Sequence, residues 1–580
     1  MNTTSSGPTP TYGPEGQRAT EKSFFGHPRG LATLFFTEMW ERFSYYGMRA
    51  LLVLFMTAPL AVANAGLGFG AAKAAAIYGL YTSFVYLLAL PGGWVADNLW
   101  GQRRAVFVGG CIIAAGHFSM AGPLVGAPDL PSFFTGLLLI VIGTGLLKPN
   151  VSTMVGDLYP SAETTSSDPE AHMRAEKWGA MRDAGFSIFY MGINLGAILG
   201  PFICGTLGEK VNWHWGFSAA GFGMILGLIQ YKRGDKYLGR VGYLDTADSA
   251  AELSRKSRTF YLVAGVLATV AALFAILSLR GVISVSLEGF ATWMGYGILL
   301  LTILFFSYLI LGKAWAAGIL AVFVGLAAIL VPQLGTTIGG RYAIAAVLGL
   351  FILLNVIFLA TGGERVTVTR KRLMVIFWLF LLAAVFWSGF EQAGSSMNLF
   401  ARDLTDRTYF GWEMPTTWLQ NVNPLFIVIF APIFGYMWTW LAQRDRNPSI
   451  PMKFALGLLG LSAGFFVIAW GAAQATVDNP VTPAWLVVTY FLHTCGELAL
   501  SPVGLSSMTK LAPTGRVGQM MGVWFIAAAL GNLIAGLVAG QLETLPPDML
   551  FRTVALIAGG AGVVALLLSR PVKKLMVGVE

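Results

Sequence analysis

Charged residues are scarce in this chain of 580 residues, because Asp, Glu, Lys and Arg together make up only 12% of it. Hydrophobic residues reach 56%, and the mean hydropathy is +0.67. A soluble globular domain carries roughly 25% charged residues. The composition therefore excludes a soluble enzyme or binding module and indicates a membrane protein that crosses the bilayer many times.

Cysteine is also rare, and the basic excess has a simple explanation. The three cysteines, Cys111, Cys204 and Cys495, lie in apolar runs without the spacing of a metal site, so we interpret them as inert core residues. The 38 basic residues outnumber the 29 acidic ones, giving a net charge of +9. They fall in short clusters between apolar runs, as expected where positive charge orients membrane helices. We therefore expect no nucleic-acid partner and no metal.

Apolar runs of about 20 residues, long enough to cross a bilayer, divide the chain into two blocks of six. The first block fills residues 27–231 and the second fills residues 374–570. Between them, residues 232–373 hold a charged linker and four further candidate spans. Residues 1–26 are polar and rich in Pro, Gly, Ser and Thr, which predicts a disordered cytoplasmic tail rather than a signal peptide. Residues 571–580 form a second cytoplasmic tail.

An even number of inserted spans gives both blocks the same orientation in the membrane. The basic clusters are GQRR at 101–104, RAEKWGAMR at 174–182, YKR at 231–233, TRKR at 369–372, QRDR at 443–446 and SRPVKK at 569–574. All of them fall on one side if both termini are cytoplasmic. We therefore predict an integral membrane protein with both termini in the cytoplasm. Two six-helix halves are typical of alternating-access carriers, although a channel or a membrane-embedded enzyme could also contain many helices.

The segment FTEMWERFSYYGMR, residues 36–49, places charges in the middle of an apolar run. On a helix that turns about 100° per residue, its charged and tyrosine side chains project within roughly 140° of one another. The set is Glu38, Glu41, Arg42, Tyr45, Tyr46 and Arg49. Charges inside a bilayer are costly and usually mark function. A salt-bridge cluster that only locks helix packing is the alternative.

EMWERFSYYGMR resembles the E-x-x-E-R-F-x-Y-Y signature of the proton-coupled oligopeptide transporter family, within the major facilitator superfamily. Further segments are similar to other blocks of that family: GGWVADNLWGQRRA, GTGLLKPNVSTMVG, FYMGINLG, FWSGFEQAGSSMN and GELALSPVGLSSMTKLAP. They span both halves, from about residue 30 to residue 540. The resemblance, to the bacterial type, implies an all-α polytopic protein of the inner (cytoplasmic) membrane with the major facilitator fold. Its two six-helix bundles are joined here by inserted hydrophobic helices.

GGWVADNLWGQRR also has a physical interpretation of its own. Its glycines allow close helix approach, and Asp97 with Arg103 and Arg104 can form a charge cluster at the cytoplasmic rim. Such a cluster can latch the two halves in one state. We predict that these three residues act in gating and not in substrate binding.

Isolated charges occur elsewhere in the apolar segments. The carboxylates are Glu38, Glu41, Glu391 and Glu497, and the cations are Arg42, Arg49 and Lys148. Four carboxylates and three cations leave one carboxylate without its own cation, and this carboxylate could carry a proton as a neutral acid. The charge count does not identify which of the four it is. For Lys148, in GTGLLKPN, a helix end at the membrane interface is an alternative. The resemblance favours a lysine in the substrate pocket, facing Glu497.

The resemblance implies roles for a larger set of residues. Proton coupling is implied for Glu38, Glu41, Arg42 and Glu391. Substrate binding is implied for Arg42, Tyr45, Tyr46, Arg49, Tyr86, Lys148, Tyr190, Asn194, Asn423, Glu497 and Trp524. Arginine and lysine suit a peptide carboxylate, while Glu497 and the two amides suit its ammonium group. Taken alone, each aromatic residue is better explained by helix packing or an interfacial belt.

Two positions depart from the family. Animal members have a histidine linked to proton transfer in the second helix, where this chain has Gly79, so proton handling must depend on carboxylates. Many relatives have a serine four positions after the pocket tryptophan, where this chain has Ala528, which puts one substrate hydrogen bond in doubt.

These features together predict a carrier and not an enzyme. We expect proton-driven import of di- and tripeptides by a monomer, with the proton as coupling ion and no cofactor. The alternative is a proton-coupled carrier of another small anion or amino-acid-like solute. An intramembrane hydrolase is disfavoured, because H-E-x-x-H does not occur in the sequence.

Overall fold

The computed structural model describes residues 24–159, 169–244, 248–280, 286–311 and 367–579. Within those ranges, ten helical segments are long and apolar enough to cross a membrane. The fold is all-α, as the sequence predicts. The last two of the four candidate spans between the blocks, near 315–332 and 342–361, lie outside the described residues.

Seven helices form the first block within the described residues. They are α1 (Gly30–Thr57), α2 (Ala71–Leu87), α3 (Ala89–Val95), α4 (Gln102–Met120), α5 (Asp129–Asp157), α6 (Pro169–Lys210) and α7 (Trp213–Gly234). A π-helical turn, Ala96–Trp100, follows α3 and carries Asp97. Gly101, with φ of 74°, then redirects the chain into α4, a conformation that glycine adopts without steric cost.

The insertion and the second block supply the remaining elements. The helices are α8 (Ala250–Leu279), α9 (Leu287–Ile310), α10 (Val368–Phe390), α11 (Ser396–Asp403), α12 (Val422–Ala442), α13 (Ile450–Ala472), α14 (Ala484–Leu511), α15 (Val517–Ala539), α16 (Pro547–Leu567) and α17 (Ser569–Leu575). A short antiparallel hairpin, β1 (Thr408–Tyr409) and β2 (Trp412–Glu413), lies between α11 and α12.

Packing divides the chain into two compact units. Of the described residues, the first unit comprises those up to Met48, those within Leu88–Cys204 and those within His214–Gly265. The second comprises Arg49–Leu87, Gly205–Trp213 and the described residues from Val266 onward. Helix α1 therefore contributes Glu38, Glu41 and Arg42 to the first unit and Arg49 to the second.

Each unit has an apolar core of its own. In the first, Leu34 of α1, Val151 of α5 and Met224 of α7 are among the fully buried residues. In the second, the largest cluster includes Phe377 of α10 and Phe454 of α13, both buried completely or almost so. These cores hold the helices that carry polar side chains at fixed positions.

Glycines bring α1 and α7 of the first unit into close antiparallel contact. A Cβ atom on Gly227 would lie only 2.8 Å from Cβ of Trp40. Nearer the beginning of α1, the Thr33 hydroxyl donates a hydrogen bond of 3.2 Å to the carbonyl of Gly234, where α7 ends. Small residues allow this close approach because they place no side chain between the two backbones.

Candidate functional site

Three charged side chains of α1 form a buried cluster in the first unit. Arg42 Nε lies 2.8 Å from Glu38 Oε1 and 2.7 Å from Glu41 Oε2. Glu38, Glu41 and Arg42 are 2%, 0% and 3% exposed. The spacing of four residues places Glu38 and Arg42 one turn apart on the same face, so the helix itself creates the contact. One guanidinium is shared by two carboxylates, which gives the three side chains a net charge of −1 when all are ionised.

Tyrosines and a lysine surround this cluster. The Arg42 guanidinium lies 5.5 Å from the ring centroid of Tyr45, whose ring meets that of Tyr46 edge to face at 5.2 Å. The ammonium of Lys148, on α5, interacts electrostatically with Glu41. The interpretation that KPN closes the helix after Lys148 is wrong, because α5 continues through Pro149 to Asp157. Lys148 is therefore an internal, partly buried residue of its helix.

A second buried ion pair lies in the second unit. Arg49 Nη2 is 2.8 Å from Glu391 Oε2, and Arg49 Nε donates a hydrogen bond of 2.6 Å to the Tyr78 hydroxyl. Glu391 begins a 3₁₀ turn, Glu391–Gly394, that interrupts the helical path between α10 and α11. Interrupted helices are common where transporters bind ions or substrates. Tyr78 is absent from the predicted set, since a tyrosine in an apolar helix gives no indication of its partner.

Asn423 and Glu497 meet between α12 and α14 of the second unit. The Asn423 amide nitrogen donates to Glu497 Oε2 at 3.3 Å and to the Thr494 hydroxyl at 2.9 Å. Among the described residues, the hydrogen-bond donor found at Glu497 is this neutral amide, whereas Glu38, Glu41 and Glu391 each contact an arginine. Such a carboxylate can accept a charge-assisted hydrogen bond from a cationic ligand. Thr494 is a further residue that sequence reasoning missed.

The remaining predicted binding residues lie on three helices. Asn194 is buried on α6 and donates to the Tyr190 carbonyl at 3.0 Å, a bond within its own helix, while the Tyr190 side chain is exposed. Tyr86 is partly buried near the end of α2. Trp524 is buried on α15, with its ring 6.4 Å from that of Phe454.

Arg103 has a different partner from the one expected. Instead of Asp97, it pairs with Asp235 at 3.1 Å, beyond the end of α7. Its Nε and Nη2 donate to the carbonyls of Val241, at 2.6 Å, and Gly239, at 2.5 Å. Asp97 is exposed in its π-helical turn. The charge pattern of the segment could not indicate this, because Asp235 lies 132 residues away along the chain.

Three further residues from the sequence analysis are Arg104 and the two positions that differ from the family pattern, Gly79 and Ala528. The Arg104 guanidinium lies 5.4 Å from the ring of Trp100. At Gly79, an added Cβ atom would lie 3.0 Å from Cα of Gly536 and 3.2 Å from the Asn532 carbonyl oxygen. Helix α2 therefore contacts α15 where a histidine side chain would have to fit. Ala528, on α15, is buried.

Comparison with protein families gives one match that covers more than half of the chain. The family model described as PTR2, the POT family, matches residues 103–243 and 342–552. The chain is 39% identical over 568 residues to the peptide transporter YePEPT of Yersinia enterocolitica, covering 96% of both chains. It is 34% identical over 564 residues to a di-/tripeptide transporter of Lactococcus lactis subsp. cremoris, covering 96% of this chain and 98% of that one.

Solved structures give a concordant result. A crystal structure of the peptide transporter POT in complex with sulfate superposes with a TM-score of 0.73 at 36% identity, covering 96% of this chain and 98% of that one. A POT family transporter in complex with 5-aminolevulinic acid has a TM-score of 0.72 at 29% identity, covering 95% of this chain and 98% of that one.

Proposed function

Because this chain belongs to the POT family of transporters, we propose that it imports di- and tripeptides together with protons across the cytoplasmic membrane. The names of its peptide-transporting relatives support the substrate class. The proposed mechanism is alternating access by a monomer, with both termini cytoplasmic and with residues 27–231 and 374–570 as the two moving bundles. On this proposal the chain cleaves no peptide bond.

The observation that carries the proposal is the cluster of Glu38, Glu41 and Arg42. Two buried carboxylates that share one guanidinium repel each other, so a proton on either one relieves the excess negative charge. Such a group can take up a proton on one side of the membrane and release it on the other, provided that the arginine changes partners during the cycle. A peptide carboxylate competing for Arg42 supplies that change.

The charged residues of the predicted binding set suit the two termini of a peptide. Lys148, Arg42 and Arg49 supply positive charge for the carboxylate, and Tyr45, Tyr46 and Tyr86 are further candidate contacts. Glu497, held by Asn423 at 3.3 Å, supplies negative charge for the ammonium group, with the Asn194 amide as a further polar contact. Charge-assisted hydrogen bonds are the stronger ones, so both termini contribute to affinity. Tyr190 and Trp524 offer apolar surface to variable side chains.

Glu391 is the second candidate for proton coupling. Its ion pair with Arg49 lies at the interruption between α10 and α11. Protonation of Glu391 removes the charge that holds Arg49, while the Tyr78 hydroxyl keeps the guanidinium in place. Arg49 then becomes available to an anionic ligand.

Gating is a separate role in this proposal. We assign it to Asp97, Arg103 and Arg104.

Uptake into proteoliposomes tests the function. Purified protein is reconstituted with a labelled dipeptide outside and an imposed inward proton gradient. We expect saturable accumulation that an ionophore collapses, with the dipeptide recovered intact. Accumulation that is unaffected by collapsing the gradient, or recovery of free amino acids, would contradict the proposal.

An amino-acid-like solute is the second candidate substrate. A relative at 29% identity was solved in complex with 5-aminolevulinic acid. In the same assay, unlabelled 5-aminolevulinic acid and a panel of dipeptides are compared as competitors. Stronger competition by the dipeptides supports peptide transport, and the reverse order favours this alternative.

A further inference from the structure

A groove with a volume of about 740 Å³ lies in the first unit, where α1 begins and α7 ends. Helix α1 contributes Thr33, Phe36 and Trp40 to its lining, at spacings of three and four residues that place them on one face. Helix α7 contributes Leu226 and Ile229 on the facing surface. The two helices run antiparallel and are in close contact at Gly227 and Gly234.

One end of the groove is strongly basic. Arg29, Arg233 and Lys236 all line it at this end. The Arg29 guanidinium lies 4.0 Å from the ring centroid of Tyr237, and the Lys236 ammonium lies 5.1 Å from the same ring. None of the residues that line the groove is acidic.

The nearest acidic residue in sequence does not neutralise this charge. Asp235 lies between Arg233 and Lys236 in the chain but pairs with Arg103 at 3.1 Å. Its carboxylate is therefore engaged away from the groove. The basic end keeps three positive charges available for an anion.

The other end of the groove is apolar and open to the surface. Phe36, Leu226 and Ile229 are 36%, 49% and 43% exposed, although all three are large hydrophobic residues. Leu226 precedes Arg233 by seven residues on the same helix, so the apolar end lies about 10 Å from the basic end at ~1.5 Å per residue. Exposed apolar side chains grouped in this way mark a surface for a lipid or another apolar partner.

We propose that this groove binds one anionic glycerophospholipid, with its phosphate between Arg29, Arg233 and Lys236 and the upper part of an acyl chain along Phe36 and Ile229. Basic pockets between membrane helices at the cytoplasmic surface suit anionic headgroups. The groove is basic at one end and apolar at the other. A phospholipid of this class is correspondingly anionic at its headgroup and apolar along its acyl chains. None of the residues that line the groove is among the proposed transport residues, and the proposal does not depend on peptide transport.

Native mass spectrometry of purified protein, stripped of lipid, tests the proposal. Phosphatidylglycerol and phosphatidylcholine with identical acyl chains are titrated into wild type and into the variant R29Q/R233Q/K236Q. A control variant, R446Q/R570Q/K574Q, loses the same charge at exposed positions outside the groove. All six side chains are at least partly exposed, so we expect both variants to fold.

Wild type and the control should bind phosphatidylglycerol in preference to phosphatidylcholine. The groove variant should lose about 100-fold in affinity for phosphatidylglycerol, since each basic residue contributes about 1 kcal/mol near an anionic surface and 1.4 kcal/mol is a factor of ten. An equal loss in the control variant, or equal binding of the two lipids by wild type, would overturn the proposal.

A second measurement locates the lipid and separates it from a free anion. A photoactivatable phosphatidylglycerol should crosslink to peptides that contain residues 29–40 or 226–237. Glycerol 3-phosphate, which carries the same phosphate without acyl chains, should not displace it at equal concentration. Crosslinks confined to other segments, or full displacement by glycerol 3-phosphate, would refute the lipid assignment.

Discussion

Replacement of either acidic residue of the α1 cluster by glutamine should abolish proton-driven accumulation while leaving exchange. The structure defines what each variant does. Arg42 contacts Glu38 at 2.8 Å and Glu41 at 2.7 Å. Either Glu38→Gln or Glu41→Gln therefore removes one of the two negative charges, and the Arg42 guanidinium keeps a single carboxylate partner. Each single variant resembles a cluster that is permanently protonated.

The size of the effect follows from the driving force. A difference of one pH unit is worth about 1.4 kcal/mol per proton, which limits accumulation to about tenfold for each proton coupled. Wild type should approach that limit. A variant whose cluster no longer exchanges a proton should equilibrate peptide at a ratio of about one.

Two assays on the same proteoliposomes distinguish coupling from damage. Accumulation is measured under an imposed pH difference, and counterflow is measured with peptide on both sides and no gradient. Glu38→Gln and Glu41→Gln should lose accumulation and keep part of their counterflow. Glu288→Gln, on α9 and outside the cluster, serves as the control and should retain both activities.

The variant with both Glu38 and Glu41 replaced by glutamine cannot separate coupling from folding. With both glutamates replaced, Arg42 is left buried without either anion, a situation that costs about 3–5 kcal/mol. We expect that protein to be poorly folded and inactive in both assays. If the two single variants still concentrate peptide under the imposed pH difference, the reasoning is refuted and the cluster is a packing lock.

Two further predictions concern residues proposed to bind the peptide and the hydrogen-bond partner of one of them. Lys148→Ala and Glu497→Gln should both weaken peptide binding. In competition assays, an amidated dipeptide should bind wild type and Lys148→Ala with similar affinity, because it lacks the carboxylate proposed to contact Lys148. An equal loss of affinity for amidated and free-acid peptides would indicate a structural role for Lys148. Tyr78→Phe should lower the unfolding free energy by about 1.5–3 kcal/mol, because it removes a hydrogen bond to the charged Arg49. The same change at the exposed Tyr436 should leave the thermal unfolding midpoint unchanged.

Local features of this protein could be predicted from sequence, since they depend on helical periodicity. The shared face of Glu38, Glu41 and Arg42 is a property of one helix, and the structure contains the contacts that this face implies. The all-α fold follows in the same way from the length of the apolar runs. Helix ends were less predictable: α6 extends to 42 residues, because a helix can continue past the bilayer in polar sequence.

Partners on different helices could not be predicted, because no local pattern encodes them. Arg49 reaches Tyr78 across 29 residues and Arg103 reaches Asp235 across 132. Arg103 also illustrates how a nearby charge misleads: Asp97 is close in sequence, yet the π-helical turn and Gly101 separate the two residues. Such contacts depend on how helices pack.

The close contact at Gly79 limits how this protein could evolve. A side chain at this position would meet Cα of Gly536 at 3.0 Å and two carbonyl oxygens of α15 at 3.2 Å, and backbone atoms cannot move aside as a flexible side chain can. A lineage could gain a histidine there only if α2 and α15 first moved apart, which requires changes on both helices. A single substitution of Gly79 by a larger residue should therefore disrupt the contact between α2 and α15.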